Sequence, residues 1–185
     1  INSKILIFDL IKNKINKQYK IGACKNAILK GNELIVLTNY SISTINLLND
    51  NISTSIFGKR FYSYTTYLND TLLGSEDGLY SYNNKVLANY KLSDSLKSRI
   101  MDMQVKDSLL ILATVDKGVY FIKNHKIIKV LVLKNGLSSN NCSKMQLYKN
   151  KLYIGTNKGI SIYNFSNNTI QTLYESDGLA SNMVN

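Results

Sequence analysis

The stretch Leu152-Tyr153-Ile154-Gly155-Thr156 decides the fold of this chain, together with Gly159-Ile160-Ser161-Ile162-Tyr163, which begins three residues later. The same pattern recurs in degraded form at earlier places in the chain. The counterparts of Gly159 are Lys4, Ser41, Gly78 and Gly118, at steps of 37, 37, 40 and 41 residues. A period of about 40 residues without a helical pattern is typical of propeller blades.

Each repeat unit contains four short segments of strand character, separated by Asn, Asp, Gly and Ser. In the clearest unit these segments are Asn141 to Leu147, Lys151 to Gly155, Gly159 to Asn164 and Thr169 to Tyr174. A position thirteen residues before the residue that precedes Thr156, and before its counterparts in the other units, checks the alignment. It holds Cys24, Phe61, Ile100 and Cys142. All four are apolar, as packing on an inner strand requires. The sequence therefore predicts an all-β chain, a β-propeller fragment of four-stranded antiparallel blades.

The repeat divides the chain into about four complete blades and a partial one. We predict a partial blade over residues 1–21, blades over about 22–58, 59–92, 93–134 and 135–176, and the start of another over 177–185, all within one propeller domain. Such an array is not closed, because the first unit lacks its first two strands. We therefore expect the chain to be part of a larger propeller whose remaining blades complete the ring. The alternative is a homodimer in which two copies complete each other.

Three segments carry a resemblance to a known repeat. They are Asn135-Gly136-Leu137-Ser138-Ser139-Asn140, Leu152-Tyr153-Ile154-Gly155-Thr156-Asn157-Lys158-Gly159-Ile160, and Ser176-Asp177-Gly178-Leu179-Ala180-Ser181-Asn182. Together they resemble the two-component regulator propeller repeat, whose pattern joins a Gly-Leu, a short polar stretch, a strand, an aromatic-Ile-Gly-Thr and a second Gly-Leu or Gly-Ile. That family usually has Trp before Ile-Gly-Thr, whereas this chain has Tyr153 there and no Trp.

The resemblance implies a function in signalling. Propellers of that family form the periplasmic sensor part of membrane-spanning regulators, many of them hybrid histidine kinases that respond to polysaccharide fragments. It therefore implies a ligand-sensing, periplasmic domain of an inner-membrane protein, with an oligosaccharide as ligand and the output domains elsewhere in the parent protein. The alternative is a noncatalytic propeller scaffold that binds protein or glycan without a signalling role, and a propeller hydrolase or lyase is a distant third.

Strand geometry predicts where a ligand would meet the array. In a four-stranded antiparallel blade, the turn between strands two and three lies at the same end as the loop that leads into the next blade. The turns are Thr38 to Tyr40, Ser75 to Asp77, Thr114 to Lys117 and Thr156 to Lys158, and the loops are Gly58 to Tyr62, Ser93 to Arg99, Ser138 to Asn141 and Ala180 to Asn182. Because Arg offers a fork for carboxylates and Tyr a stacking surface, we predict a binding face. Its candidate residues are Tyr40, Arg60, Tyr62, Asp77, Arg99, Asn140 and Asn141. For any one of them, an ordinary role in a turn or as a solvated charge is the alternative.

Nothing in the sequence predicts catalysis or a cofactor. The single histidine, His125, falls at a predicted hairpin turn between strands three and four, without a second ligand or an orienting acid at a suitable spacing. We therefore expect no enzyme activity, metal or cofactor in this segment. Cys24 and Cys142 occupy equivalent positions three units apart, too far for a disulfide, and we expect both to be free, buried thiols.

The net charge of +11, from 23 basic and 12 acidic residues, raises the possibility of an acidic partner. The basic residues are nearly all Lys, scattered through hairpin turns without a basic helix or an Arg-rich face. This distribution argues against nucleic-acid binding by this segment.

Overall fold

The structure, a computed structural model, describes residues 4–83, 86–92 and 96–184. The chain forms two compact units, of which the first runs to Tyr62 and the second starts at Ser63. Apart from two short 3-10 turns, the regular structure of the described residues is entirely β-strand.

The first unit contains a two-stranded sheet and a four-stranded sheet. The two-stranded sheet pairs β1 (Lys4–Asp9) with β2 (Lys14–Lys20) in antiparallel fashion. Sheet I follows, with β3 (Asn26–Lys30), β4 (Glu33–Leu37), β5 (Ser41–Asn46) and β6 (Ile52–Ile56) hydrogen-bonded in chain order. The core of this unit is formed by Tyr19, Leu34, Val36 and Ile45, with Ile5, Ile7, Ile21 and Leu47 packed around them. Because strand side chains alternate, one face of β1 supplies Ile5 and Ile7 to this core.

Three further four-stranded antiparallel sheets follow. Sheet II is β7 (Phe61–Tyr67), β8 (Asp70–Ser75), β9 (Leu79–Asn83) and β10 (Val86–Asn89); sheet III is β11 (Ile100–Lys106), β12 (Leu109–Thr114), β13 (Val119–Lys123) and β14 (Lys126–Leu131); sheet IV is β15 (Cys142–Tyr148), β16 (Lys151–Thr156), β17 (Gly159–Asn164) and β18 (Thr169–Leu173). The predicted four-stranded antiparallel units are confirmed. The sequence did not predict the 3-10 turns Leu133–Asn135 and Glu175–Asp177, each of which ends at a glycine of positive φ, Gly136 or Gly178.

Alternation along β12 and β13 gives sheet III two apolar faces. Leu110, Leu112 and Ile122 share one core cluster with Leu72 and Leu79 of sheet II. On the opposite face, one cluster joins sheet III to sheet IV; it contains Ile111, Ala113, Val119, Phe121, Cys142, Met145, Leu152, Ile154 and Tyr163. Sheet III is therefore buried on both faces, which agrees with the apolar residues on both sides of its strands.

The small residue of the repeat provides the close contact between neighbouring sheets. A Cβ built on Gly74 would lie 2.8 Å from Cγ2 of Ile100 and 2.3 Å from Oγ of Ser63. A Cβ on Gly155 would lie 2.9 Å from a methyl carbon of Val184. The apolar residue that starts the next unit thus lies against Gly74 or Gly155, which explains the glycine before Ser75 and before Thr156. Sheet I has Leu37 at the equivalent position.

Polar groups also join sheets III and IV. The carboxylate of Asp102 is buried and accepts a hydrogen bond from the backbone N–H of Met145 at 2.8 Å and one from Met103 at 3.0 Å. The Gln104 carboxamide donates to the carbonyl oxygen of Met145 at 3.2 Å. Both backbone groups of Met145 are therefore held by side chains of the preceding sheet.

The prediction that both cysteines are buried is correct for Cys142 and wrong for Cys24, which is exposed. In sheets II, III and IV the first strand begins at the aligned position, whereas β3 begins two residues after Cys24. Cys24 therefore precedes its strand and does not take the packing position. Burial raises the pKa of the Cys142 thiol to about 12, so this side chain is a small apolar group rather than a nucleophile.

Two buried tyrosines in the second unit differ in how their hydroxyls are satisfied. Tyr67 donates to the carbonyl oxygen of Ser108 at 3.0 Å and accepts from the N–H of Asn124 at 3.2 Å. The hydroxyl of Tyr90 has no hydrogen-bond partner among the described residues, and burial raises its pKa to about 12.

We expect opposite outcomes when each of these tyrosines is changed to phenylalanine. Tyr67→Phe should lower the free energy of unfolding by about 1–2 kcal/mol, because it removes both hydrogen bonds of this buried hydroxyl. Tyr90→Phe should be neutral or slightly stabilising, because the hydroxyl it removes makes no bond. Urea denaturation of both variants measures the difference, and an equal loss in both would contradict this assignment.

Candidate ligand-binding site

The turns and loops predicted to share one end of the sheets do meet there in the second unit. The N–H of Val115, in the turn between β12 and β13, donates to the carbonyl oxygen of Arg99 at 3.2 Å. The loop before β15 touches two turns, because Gly118 N–H donates to Asn140 at 2.9 Å and Asn157 N–H donates to Asn141 at 3.3 Å. These backbone contacts fix the loops against the turns.

A depression of about 450 Å³ lies between the corresponding ends of sheets II and III. It brings together two of the predicted residues, Asp77 and Arg99. Its other lining residues are Glu76, Lys97, Ser98, Val115 and Asp116. Of the predicted loop 93–99, residues 93–95 lie outside the described residues.

Hydroxyl groups orient two of the three carboxylates of this depression. Asp77 accepts a hydrogen bond from the buried hydroxyl of Ser75 at 2.5 Å, and the hydroxyl of Tyr80 lies 3.1 and 3.2 Å from its two oxygens. Ser98 donates to a carboxylate oxygen of Asp116. Side chains that are held by such bonds keep their position without a ligand, which favours binding.

The walls of the depression are fixed by close backbone packing. Gly78 follows Asp77 with φ +146°, and a Cβ there would lie 2.8 Å from the carbonyl oxygen of Leu96. Only glycine lets this turn and this loop approach so closely. On the other side, the ammonium of Lys117 donates to the carbonyl oxygen of Lys97 at 2.7 Å.

The charge of the depression differs from that of the whole chain. Three acidic side chains and two basic ones line it, whereas the chain carries +11. Carboxylates accept hydrogen bonds, and guanidinium and ammonium groups donate them. The depression therefore offers both kinds of partner to a ligand, as a polyhydroxylated molecule requires.

Two of the predicted residues of the first unit, Arg60 and Tyr62, contact each other. The guanidinium of Arg60 lies 5.1 Å from the ring centroid of Tyr62, and its Nε donates to the side-chain oxygen of Asn39 at 3.4 Å. Tyr62 is the second residue of β7 rather than part of the loop. Tyr40, in the turn between β4 and β5, is 53% exposed.

Asn140 and Asn141 do not line the depression. The side-chain oxygen of Asn140 accepts from the N–H of Leu133 at 2.7 Å and so holds the preceding 3-10 turn. The equivalent Asn182 does the same with Glu175 at 2.8 Å. The Asn in the loops that start at Gly136-Leu137 and Gly178-Leu179 therefore holds the 3-10 turn before it in both places.

The sequence prediction included Asp77 and Arg99 of this depression but not four of its other lining residues, Glu76, Lys97, Ser98 and Asp116. All four fall inside the ranges predicted to share one end. Charge is the signal that could have identified them, because the turn with Glu76 and Asp77 is acidic and the loop with Lys97 and Arg99 is basic.

His125 lies at the opposite end of the sheets, in the turn between β13 and β14. Its φ is +63° and its exposed ring stacks on that of Tyr90, with the centroids 5.1 Å apart. Within the described ranges, no three His, Cys, Asp or Glu side chains are grouped so that they could hold a metal ion. Over the same residues, no helix has the length and apolar character needed to cross a membrane.

The chain resembles known proteins in fold but not in sequence. No protein-family model and no curated protein matches the chain. Solved structures do match, and one of them is the β-propeller domain of Cps50 (Swd1) from Myceliophthora thermophila, with TM-score 0.71 and 12% identity over 90% of this chain and 60% of that one. The chain has a propeller fold.

Two other matches come from B. thetaiotaomicron and are extracellular domains. One is described as part of a hybrid two-component system, with TM-score 0.69 and 17% identity over 88% of this chain and 24% of that one. The other is described as part of a one-component system, with TM-score 0.65 and 20% identity over 80% of this chain and 21% of that one. The chain thus spans about a quarter or less of these two extracellular domains and 60% of the fungal domain.

Proposed function

We propose that this propeller is a ligand-sensing, extracytoplasmic domain of a two-component-type regulator and that it recognises a carbohydrate or a similar polar ligand. The observation that carries the proposal is the depression lined by Asp77, Arg99 and Asp116, with oriented carboxylates beside basic side chains. The similarity to extracellular domains of two bacterial regulatory systems supports the same role. A periplasmic location and a histidine kinase as output belong to this proposal.

The position of the depression suggests how binding would be relayed. Its lining comes from the turn of sheet II, the turn of sheet III and the loop between them. A ligand that bridges two sheets binds best to one arrangement of those sheets. Binding would therefore shift the population of sheet arrangements, which neighbouring domains could read.

A noncatalytic propeller scaffold, binding protein or glycan without signalling, is the second candidate. The TM-score to the fungal propeller domain, 0.71, is as high as those to the two extracellular domains. Fold alone therefore does not separate the two functions, and a ligand titration does.

We expect the protein to release or absorb heat when titrated with a member of a panel of neutral and acidic oligosaccharides. Asp77→Asn and Arg99→Gln should each weaken that binding about tenfold or more, because a charge-assisted hydrogen bond contributes about 1.5–3 kcal/mol. Lys123→Gln is the matched control, because Lys123 is exposed and borders the turn at the opposite end of sheet III.

Two results would redirect this proposal. Binding that survives both substitutions but is lost in Arg60→Ala or Tyr62→Ala would move the site to the first unit. The absence of heat with every oligosaccharide would favour the scaffold.

A further inference from the structure

One face of sheet IV lacks the cover that the equivalent face of sheet III has. On sheet III this face consists of Ile111, Ala113 and Val119, which are fully buried under sheet IV. Their counterparts on sheet IV are Tyr153, Gly155 and Ile160. Tyr153 and Ile160 are only half-buried and, with Met145 and Gln146, line an open groove of about 360 Å³.

Residues 182–184 already lie at one end of this groove. Their contacts with sheet IV are equivalent to those that residues 140–142 make with sheet III. The carbonyl oxygen of Asn182 accepts from Gly159 N–H, as that of Asn140 accepts from Gly118 N–H. Val184 donates its N–H to the carbonyl oxygen of Thr156 at 2.9 Å, and the Ser143 hydroxyl donates to the carbonyl oxygen of Val184 at 2.6 Å. Val184 lies against Gly155, at the position that Cys142 takes near Ala113.

We propose that this face of sheet IV docks one further four-stranded sheet of the same repeat, whose inner strand enters along Val184. The groove continues the interface that residues 182–184 have begun, and its apolar lining matches the face that sheet III presents to sheet IV. This inference concerns assembly and does not rest on the proposed ligand.

The structure also assigns a backbone contact to the incoming strand. On sheet III, Gln104 donates to the carbonyl oxygen of Met145, three residues after Cys142. The counterpart of Gln104 is Gln146, an exposed side chain whose carboxamide donates to the carbonyl oxygen of its neighbour Leu147 at 2.8 Å. When the sheet docks, Gln146 turns to donate to the carbonyl oxygen three residues after Val184. The counterpart of Asp102 is Lys144, whose ammonium group cannot accept a hydrogen bond. The incoming strand would therefore be bound by Gln146 alone, whereas Met145 is bound by both Asp102 and Gln104.

An extended protein tests this proposal. A copy of residues 144–176 is joined after Asn185, so that Val184 and Asn185 take the places of Cys142 and Ser143. We expect the extension to raise Tm by at least about 5 °C and to protect Tyr153 from hydroxyl-radical labelling. Gln146→Ala should reduce the gain in Tm in the extended protein and change little in the original chain.

Ile160→Lys supplies the matched control, because Ile160 is half-buried in the original chain and would be covered by the docked sheet. It should remove most of the gain in Tm in the extended protein and have little effect without the extension. An extension that leaves both Tm and the labelling of Tyr153 unchanged would overturn the proposal. So would sedimentation of the original chain as a dimer that Ile160→Lys dissociates, because the occupant would then be a second copy.

Discussion

Gly74→Val should lower the free energy of unfolding by about 2–4 kcal/mol, since forcing extra carbon atoms into a packed core commonly costs about 1–3 kcal/mol and sometimes more. Gly74 lies where sheet II meets the first residue of sheet III. A Cβ at this position would lie 2.8 Å from Cγ2 and 2.9 Å from Cβ of Ile100, both closer than real contacts. The branched side chain of Ile100 is fully buried and cannot move aside without disturbing the core. The unfolding midpoint in urea measures the effect.

Gly58→Val is the matched control. A Cβ on Gly58 would meet no atom within 4 Å, so the stability should change by less than about 0.5 kcal/mol. The double variant Gly74→Val with Ile100→Ala should be more stable than the sum of the two single effects predicts, because the residues share one contact. If Gly74→Val is as stable as the original protein, the packing of sheet III against sheet II does not require glycine at this position.

Asp102→Ala should lower the free energy of unfolding by about 2–4 kcal/mol, because it leaves the backbone N–H groups of Met103 and Met145 buried without an acceptor. Gln104→Ala removes the other bond to Met145 from a less buried position and should cost about 1 kcal/mol. Equal and small losses in both variants would show that sheets III and IV do not depend on the Asp102 carboxylate.

The Asp102 effect should also depend on pH. Burial raises the pKa of this carboxyl above its usual range, although the N–H groups of Met145 and Met103 and the charge of Lys144 oppose the shift. In the unfolded chain an aspartate loses its proton near pH 4. Between that pH and the higher pKa of the folded state, the native protein binds more protons, so its stability falls as the pH rises.

Asp102→Asn lacks this titration and provides the comparison. The stability advantage of the original protein over Asp102→Asn should therefore be largest below about pH 4 and should decrease as the pH rises through the folded pKa. Urea titrations of both proteins between about pH 4 and 7 follow this difference. An advantage that grows with pH would mean that the hydrogen bonds to the ionised form outweigh burial.

The sheets could be predicted from the local sequence because short strand-like segments are separated by Asn, Asp, Gly and Ser. The four predicted segments of sheet IV match β15 to β18 within one residue at each end. The failure at Cys24 has a local cause as well. Its unit keeps the spacing of the repeat, but the strand starts only at Asn26, and spacing alone cannot show where hydrogen bonding begins.

The candidate site was predictable as a region and less so as a set of residues. Strand order places turns and loops at one end, and Asp77 and Arg99 meet there as part of one depression. The partners that orient the carboxylates, Ser75 and Ser98, depend on side-chain geometry that no sequence pattern specifies. Asn140 is a residue type that can bind sugars, but here its side chain holds a turn. Asn side chains also form hydrogen bonds with nearby backbone groups, and the sequence does not show which role applies.

The central claim is that the depression between sheets II and III binds a polar ligand. A crystal structure of the protein with the oligosaccharide that binds most tightly in the titration tests it most directly. The account predicts a sugar within hydrogen-bond distance of Asp77, Arg99 and Asp116. A sugar bound at the opposite end of the sheets, beside the turn that holds His125, would contradict it.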